Sequence, residues 1–394
     1  MPNMIFVPGF AGVELFDGKT DALIWADRFN IMKFGLWPLR LASNGIAPAP
    51  AEPFDDRSAG RLLFARWRAD TRSNVGQSYS GFINTLLRLE GWTTYGLPWD
   101  WRRGMNEAAQ KLAGFVEVYG TTDKPVAIVA HSAGGLVARL AWQILGTRSL
   151  RPLVSRIILF NCPNFGTYKA LELMRGNEPI TTQVEQVRSQ VAGALGQVRC
   201  DLADLVTIVS SFPALYQLLP FFGSADQVGD PLRTRIYDAD RWQGKIDLHW
   251  LDDAADFFQP QFGSAETIPT FQVLTTVAGS GVDTFAALDN ATSFPDRKYA
   301  YKPPVDGDGY APVAQQLLDA GVRYTVPGDH NGVINSTIVS DKLSTWLTEQ
   351  HHTIRLDPPD DTWLAPYSAT VPQLPFGLDP VFRPIGRLNV AGDP

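Results

Sequence analysis

The first 160 residues alternate short apolar segments with longer segments in which apolar residues recur every three or four positions. Each short segment is bounded by turn residues, which is typical of a strand buried on both faces of a sheet. The predicted strands cover residues 5–7, 94–97, 126–129 and 157–160. Amphipathic helices are predicted over residues 82–89, 106–118 and 136–145. Strands that alternate with helices indicate an α/β fold, with a mostly parallel sheet and helices on both faces.

The alternation stops after residue 162 and resumes at residue 270. The segment between contains a polar, helix-like stretch and then aromatic side chains. These aromatics are Phe221, Phe222, Trp242, Trp250, Phe257 and Phe258. We interpret residues 163–269 as a cap inserted into the order of the sheet, covering an apolar part of the substrate or forming its own small core. The alternative is a second independent domain, because about a hundred residues are enough to fold alone.

The pattern of the core returns in the second half of the chain. Strands are predicted over residues 270–277 and 322–326, and helices over residues 312–320 and 340–350. Residues 1–162 and 270–352 therefore form the two parts of one core. After residue 352 the chain becomes rich in proline, which predicts an extended arm over residues 353–394. Its aromatic side chains suggest packing against the body of the protein or against a second subunit.

Composition limits the kinds of partner. The 394 residues are 45% hydrophobic and 19% charged, so the chain is able to bury a large core. The net charge of −7 comes from scattered charges without a basic face, which argues against nucleic acid and favours a small or apolar substrate. No apolar segment is long enough to predict a transmembrane helix, although a peripheral membrane contact stays open.

Cysteine content and the N-terminal sequence bear on location. Cys162 and Cys200 are too few for a disulfide framework, which fits a reducing compartment. The first residues lack the basic and apolar regions of a signal peptide. We therefore expect a cytoplasmic protein. No cofactor or metal is predicted, because no His, Asp or Cys cluster has the spacing of a ligand set.

A candidate nucleophile lies between the third predicted strand and the helix that follows it. Ser132 stands at the apex of a tight turn, where a nucleophile elbow exposes the hydroxyl oxygen next to a helix N-terminus. Small residues are needed two positions before and two after the serine, and Ala130 and Gly134 occupy them. The simpler interpretation is that Ser132 only caps the helix.

An acyl-transfer site also needs backbone N–H groups for the oxyanion. One donor comes from the residue after the nucleophile, here Ala133. The other comes from a turn after an early strand, and the glycine-bracketed residues 8–12 provide one. Ala11 is the candidate donor there, with Phe10 as its neighbouring alternative. An ordinary glycine turn is the other interpretation.

The general base is found by elimination among five histidines. They are His131, His249, His330, His351 and His352. The first adjoins the serine and would point away from its hydroxyl, the second lies in the predicted cap, and the last two follow the final helix. His330 remains, in a loop between a predicted strand and the last helix, where hydrolases of this fold place their base.

The acid that orients the base has several candidates. Asp308 lies in a glycine-flanked loop before His330 and is the preferred one. Asp306 lies in the same loop, and Asp283 lies just beyond a predicted strand, so both stay open. Asp329 adjoins the histidine and is too close in sequence to orient its ring.

Four segments resemble the lecithin:cholesterol acyltransferase-like branch of the α/β-hydrolases, which includes lysosomal-type phospholipases and diacylglycerol acyltransferases. They are residues 7–15, residues 97–102, residues 131–134, and residues 307–309 followed by His330. The resemblance implies the α/β-hydrolase fold, a serine triad and an acyl-ester substrate. Its most specific element is Pro-x-Asp-Trp-Arg at residues 98–102. Within it, the resemblance implies structural roles for Asp100 and Arg102.

The chain departs from that branch at three points. Ala130 replaces the first elbow glycine, and Tyr310 with Ala311 replaces the Thr-Val pair that commonly follows Asp-Gly. The secreted members carry a signal peptide and disulfides that this sequence lacks. A lipoprotein substrate is therefore not implied.

The sequence predicts a serine hydrolase that cleaves hydrophobic or lipid-like carboxylic esters through an acyl-Ser132 intermediate, with His330 as base and Asp308 as acid. One alternative is an acyltransferase or phospholipase that moves the acyl group to an alcohol. The other is a binding protein on an inactive hydrolase fold, which would be expected to lack a member of the triad. The expected partner is a small-molecule ester or lipid.

Overall fold

A computed structural model describes twelve parts of the chain. They are residues 2–13, 15–16, 23–25, 79–176, 202–220, 236–237, 242, 246–257, 269, 272–286, 304–318 and 320–348. Several predicted features lie outside these residues. They are the polar helix-like stretch before residue 202, Phe221, Phe222, Phe258, Cys200, His351, His352 and the arm over residues 353–394.

Six strands form one parallel sheet at the centre of the described residues. The strands among these residues are β1 (Asn3–Val7), β2 (Leu15–Phe16), β3 (Leu23–Trp25), β4 (Thr93–Gly96), β5 (Val126–His131), β6 (Val154–Phe160), β7 (Leu274–Ser280), β8 (Val282–Thr284), β9 (Val305–Gly307) and β10 (Val322–Pro327). The order across the sheet is β10-β7-β6-β5-β1-β4, and every neighbouring pair is parallel. The pairs β2 with β3 and β8 with β9 are antiparallel and separate.

Helices cover both faces of this sheet. The helices are α1 (Ser80–Arg88), α2 (Met105–Tyr119), α3 (Ala133–Thr147), α4 (Tyr168–Arg175), α5 (Leu202–Val209), α6 (Pro213–Tyr216), α7 (Leu248–Asp256), α8 (Val313–Gln316) and α9 (Thr337–Thr348). Phe160 of β6 packs against Phe82 of α1 and Trp346 of α9. Its neighbour Leu159 points to the opposite face, as successive strand residues do, and there it lies beside Gly135 of α3. The predicted arrangement of sheet and helices is thereby confirmed.

Several predicted boundaries differ from the structure by up to three residues, and two predicted elements differ by four residues at one end. The strand predicted over residues 270–277 begins at Leu274 and extends to Ser280. The helix predicted over residues 312–320 is a single turn that ends at Gln316, because Leu317 is extended. The Gln316 carbonyl accepts a hydrogen bond from Asn164 Nδ2 at 2.7 Å, so the chain leaves the helix there to bond a distant loop.

Helices α4 to α7 lie between β6 and β7 in the chain, where the cap is predicted. Trp242 and Phe257 are buried, and Trp250 is half-buried. Helix α6 of this region is bonded to the core, since the Ala214 N–H donates to the Arg102 carbonyl. The division into core, cap and arm stays a prediction. Among the residues that the structure describes, none of the helices combines the length and apolarity needed to cross a bilayer.

Candidate active site

Ser132 lies between β5 and α3 in a conformation that few non-glycine residues adopt. Its φ is 55° and its ψ is −132°. The Ser132 N–H donates to the Phe160 carbonyl at 2.9 Å, which holds the turn against the neighbouring strand. A Cβ atom on Gly134 would collide with the Val7 carbonyl, so only glycine lets α3 approach β1 this closely. Such local strain is typical of a nucleophile elbow.

His330 and Asp308 meet Ser132 in a continuous series of contacts. His330 Nε2 lies 2.8 Å from Ser132 Oγ, and His330 Nδ1 lies 2.6 Å from Asp308 Oδ2. The other carboxylate oxygen, Asp308 Oδ1, accepts 2.8 Å bonds from the N–H groups of Tyr310 and Ala311, which fixes the carboxylate. A carboxylate only accepts, so Nδ1 carries the imidazole proton and Nε2 is free to accept the serine proton.

The competing carboxylates make other contacts. Asp306 Oδ1 accepts from the Gly281 N–H at 2.6 Å. Asp329 Oδ1 caps its own loop by accepting from the N–H groups of residues 331 and 332. Asp283 is exposed on β8, opposite Asp306. Of these four aspartates, Asp308 is the one whose carboxylate contacts the His330 ring.

Two other histidines are described, and both point elsewhere. His131 is fully buried, and its ring faces Tyr79 and the backbone carbonyl of His330. His249 is exposed on α7, where its Nε2 lies 3.5 Å from Asp253 Oδ2. Tyr310 stacks on the His330 ring with 4.3 Å between ring centroids, a contact that no local sequence pattern indicated.

The glycine-bracketed turn lies against the elbow, as an oxyanion turn must. A Cβ atom on Gly9 would come within 2.7 Å of the Ser132 Cβ, and the Gly12 N–H closes the turn by donating to the Gly9 carbonyl at 3.0 Å. Ala11 has a φ of 60° and is half-buried, like Phe10. The assignment of Ala11, Phe10 and Ala133 as oxyanion donors stays a prediction.

Comparisons with known proteins bear on the fold. No protein-family model matches the chain, and no curated protein matches its sequence. The crystal structure of the Tle4-Tli4 complex contains a chain with a TM-score of 0.51 and 13% identity, over 88% of this chain and 97% of that one. The Bacillus licheniformis lipase BlEst2 in mature form has a TM-score of 0.39 and 14% identity, and the Staphylococcus hyicus lipase has 0.35 and 14%. Both cover 88% of this chain and 92% of their own.

The chain has an α/β-hydrolase fold. The parallel sheet, the helices on both faces and the strand-turn-helix around Ser132 are its features, as the sequence predicted. Identities of this size concern the fold alone. Membership of the lecithin:cholesterol acyltransferase-like branch stays a prediction.

Within this hydrolase fold, two buried tryptophans bond to the backbone at the two ends of the glycine-bracketed turn. Trp99 Nε1 donates to the Pro8 carbonyl at 3.0 Å, and Trp101 Nε1 donates to the Val13 carbonyl at 2.9 Å. The two bonds lie on either side of the turn. The sequence marked Asp100 and Arg102 in this motif but gave these indoles no role.

Asp100 and Arg102 form a buried ion pair beneath those tryptophans. Arg102 Nε lies 2.8 Å from Asp100 Oδ1, and Arg102 Nη2 lies 2.7 Å from Asp100 Oδ2. Both side chains are at most 2% exposed. Two parallel bonds of this kind fix orientation as well as distance. The pair therefore stiffens the segment that carries both indoles, which agrees with the structural role that the resemblance implies.

Cys162 does not compete with Ser132 as a nucleophile. Its thiol is fully buried behind α3, and this burial raises the pKa of the thiol to about 12. The thiolate is the reactive form of cysteine, so Cys162 is inert near neutral pH. Within the described ranges, no group of three or more His, Cys, Asp or Glu side chains is arranged to hold a metal ion.

Proposed function

We propose that this protein is a serine hydrolase that cleaves carboxylic esters carrying a hydrophobic group. The observation that carries the proposal is the continuous contact from Asp308 through His330 to Ser132, with the serine at the apex of a strained turn. A serine hydroxyl is a weak nucleophile until a neighbouring base accepts its proton. The contact with Asp308 favours a His330 tautomer with its proton on Nδ1, which leaves Nε2 able to act as that base.

The reaction proceeds in two halves. Ser132 Oγ attacks the ester carbonyl carbon while His330 Nε2 takes the hydroxyl proton. The imidazolium then gives this proton to the departing alcohol, which leaves an acyl-Ser132 ester. Water attacks that ester while His330 Nε2 takes its proton, and the imidazolium then returns the proton to Ser132 Oγ as the carboxylic acid departs. Asp308 keeps Nδ1 protonated and stabilises the imidazolium in both halves.

The oxyanion of each tetrahedral intermediate needs backbone donors. The N–H of Ala133, at the N-terminus of α3, is one, and the N–H of Ala11 or Phe10 in the neighbouring turn is the other. Their support is the close approach of Gly9 to Ser132 and the positive end of the helix dipole at α3. Each backbone donor of this kind raises kcat by a factor of about 10²–10³.

Aromatic side chains beside the turn support a hydrophobic substrate group. Phe10 lies next to the proposed donors and is half-buried. Its ring centroid is 4.8 Å from that of Trp101 and 6.4 Å from that of Phe212, the residue before α6. An apolar wall with few polar groups is typical of a small-molecule site.

Transfer of the acyl group to an alcohol is the second candidate. It is the alternative left open by the sequence, whose resemblance to the acyltransferase-like branch does not itself imply transfer. Both reactions share the acyl-Ser132 intermediate and differ in whether water or an alcohol resolves it. The contact of all three triad side chains supports an enzyme rather than an inactive binding protein. Product analysis of a p-nitrophenyl ester with and without added alcohol separates the two reactions.

A fluorophosphonate probe tests the proposal, since it labels only activated serines. We expect labelling of the wild type and its complete loss in Ser132→Ala. Ser149→Ala is the matched control, because Ser149 also has a positive φ of 58° but lies beyond the far end of α3. A wild type that does not react, or a Ser132→Ala variant that labels as strongly as the wild type, would overturn the proposed function.

A further inference from the structure

A buried series of hydrogen bonds runs behind Ser132, on the side away from its hydroxyl. The Gly9 N–H lies 2.9 Å from Tyr79 Oη, and Tyr79 Oη lies 2.5 Å from His131 Nδ1. His131 Nε2 lies 2.9 Å from the backbone carbonyl of His330. This series joins the oxyanion turn to the loop of the base. Tyr79 is 4% exposed and His131 is 0% exposed, so water does not compete for these hydrogen bonds.

The acceptors in this series leave one arrangement of protons. The His330 carbonyl only accepts, so His131 must be protonated at Nε2. A neutral imidazole then accepts at Nδ1, and the Tyr79 hydroxyl is the group that donates to it. The Tyr79 oxygen in turn accepts from the Gly9 N–H. Every donor and acceptor in the series is satisfied only in this arrangement.

Burial keeps both side chains uncharged. It lowers the pKa of His131 well below the usual range, and the nearby His330 ring lowers it further. Burial also raises the pKa of the Tyr79 hydroxyl far above neutral pH. The neutral, Nε2-protonated form of His131 is therefore the form present at working pH.

Packing makes Tyr79 the support of the turn. A Cβ atom on Gly9 would lie 3.0 Å from Tyr79 Oη, and one on Gly12 would lie 3.1 Å from Tyr79 Cε2, so the ring touches both ends of the turn. The ring is held edge-on by Phe6, at 5.4 Å between centroids, and by His131, at 5.2 Å.

We propose that Tyr79 and His131 are positioning residues that set the distance between the oxyanion turn and the base. They act through the Gly9 N–H and the His330 carbonyl and do not touch the substrate. The inference rests on the proposed function, because it concerns the same reaction. Asn161 Nδ2 also donates to the His330 carbonyl, at 3.0 Å, so the base loop keeps one anchor when His131 is changed.

Tyr79→Phe removes the hydroxyl and keeps the ring. The Gly9 N–H loses its acceptor and His131 Nδ1 loses its donor, so the turn is free to shift relative to Ser132. With p-nitrophenyl butyrate we expect kcat to fall by about 10–100-fold while KM changes less than about threefold, because misplaced oxyanion donors weaken only transition-state binding.

Tyr216→Phe is the matched control. Tyr216 is also fully buried, and its hydroxyl also donates one bond, to the Ser210 carbonyl, and accepts one, from the Asp247 N–H. The two variants lose equivalent bonds, but the bonds of Tyr216 lie away from the triad. We expect Tyr216→Phe to keep kcat within about twofold, since it disturbs no donor of the oxyanion. Equal kcat values for the two variants would overturn the inference.

Two further measurements test the inference without relying on Tyr79→Phe. In ¹⁵N NMR of the wild type, His131 is expected to show a protonated Nε2 and a hydrogen-bonded, unprotonated Nδ1. His131→Gln, whose side-chain amide is able to reach the His330 carbonyl, is expected to recover at least about tenfold in kcat over His131→Ala. Protonation at Nδ1, or equal activity of the Gln and Ala variants, contradicts the inference. Failure of the proposed function is distinct, because it appears as unlabelled Ser132 in the wild type.

Discussion

Asp308→Asn is expected to lower kcat by about 10⁴-fold, because an asparagine selects the wrong imidazole tautomer. Its carbonyl oxygen still accepts from the N–H groups of Tyr310 and Ala311, so the loop keeps its shape. The amide nitrogen then faces His330 Nδ1 and donates to it, which moves the imidazole proton to Nε2. A protonated Nε2 is unable to accept the proton of Ser132. The measurement is kcat for p-nitrophenyl butyrate at neutral pH.

Asp306→Asn is the control for that experiment. Asp306 belongs to the same loop and accepts a backbone bond from Gly281, so both variants replace a carboxylate with an amide in one segment. We expect kcat within about threefold of the wild type, since its carboxylate makes no contact with the base in the triad. If Asp306→Asn were the more damaging change, the acid would be Asp306 and the assignment of Asp308 would be wrong.

Arg102→Met is expected to lower the free energy of unfolding by about 3–5 kcal/mol, because it leaves the buried Asp100 carboxylate with only the longer, 3.7 Å contact to the partly exposed Arg103. Arg102 is fully buried and holds both carboxylate oxygens. The methionine fills a similar volume, so the loss reflects charge more than a cavity. Urea unfolding of the purified variant measures it.

Arg103→Met provides the comparison, because this neighbouring arginine has an exposed side chain. Its side chain is 39% exposed and lies 3.3 Å from Glu107 and 3.7 Å from Asp100 Oδ2. Ion pairs of an exposed side chain contribute about 0–1 kcal/mol, so we expect a smaller loss than for Arg102→Met. A further variant, Asp100→Asn with Arg102→Met, is expected to recover part of the lost stability, since no buried charge remains. If Arg102→Met and Arg103→Met lowered the free energy of unfolding equally, the buried pair would contribute no more to stability than an exposed pair.

The sequence predicted the core sheet because its strands are short, apolar and separated by turn residues, and the inner ones are almost fully buried. The pattern of apolar residues indicates which segments are buried. For β5 and β6 this was sufficient to place Ser132 at the end of a strand. It did not report where the helix predicted over residues 312–320 ends. That end depends on the bond from Asn164 to Gln316, whose partners are far apart in the chain.

The sequence predicted which residues form the candidate site better than it predicted the contacts between them. Elimination among five histidines led to His330, and chain order led to three candidates for the acid. Only the loop geometry distinguishes Asp308 from Asp306, because the two residues share one turn and one chemistry. Tyr79 had no local signal at all, since its partners Gly9 and His131 are 70 and 52 residues away.

The central claim is that Ser132 carries the acyl group during turnover. The most direct measurement mixes the wild type with p-nitrophenyl butyrate, quenches with acid within the first turnovers and maps the modified peptide by mass spectrometry. We predict one butyryl group on Ser132, in place of its hydroxyl hydrogen, and its absence in Ser132→Ala. A butyryl group on another residue, or a Ser132→Ala variant that turns over the ester at the wild-type rate, would contradict the account.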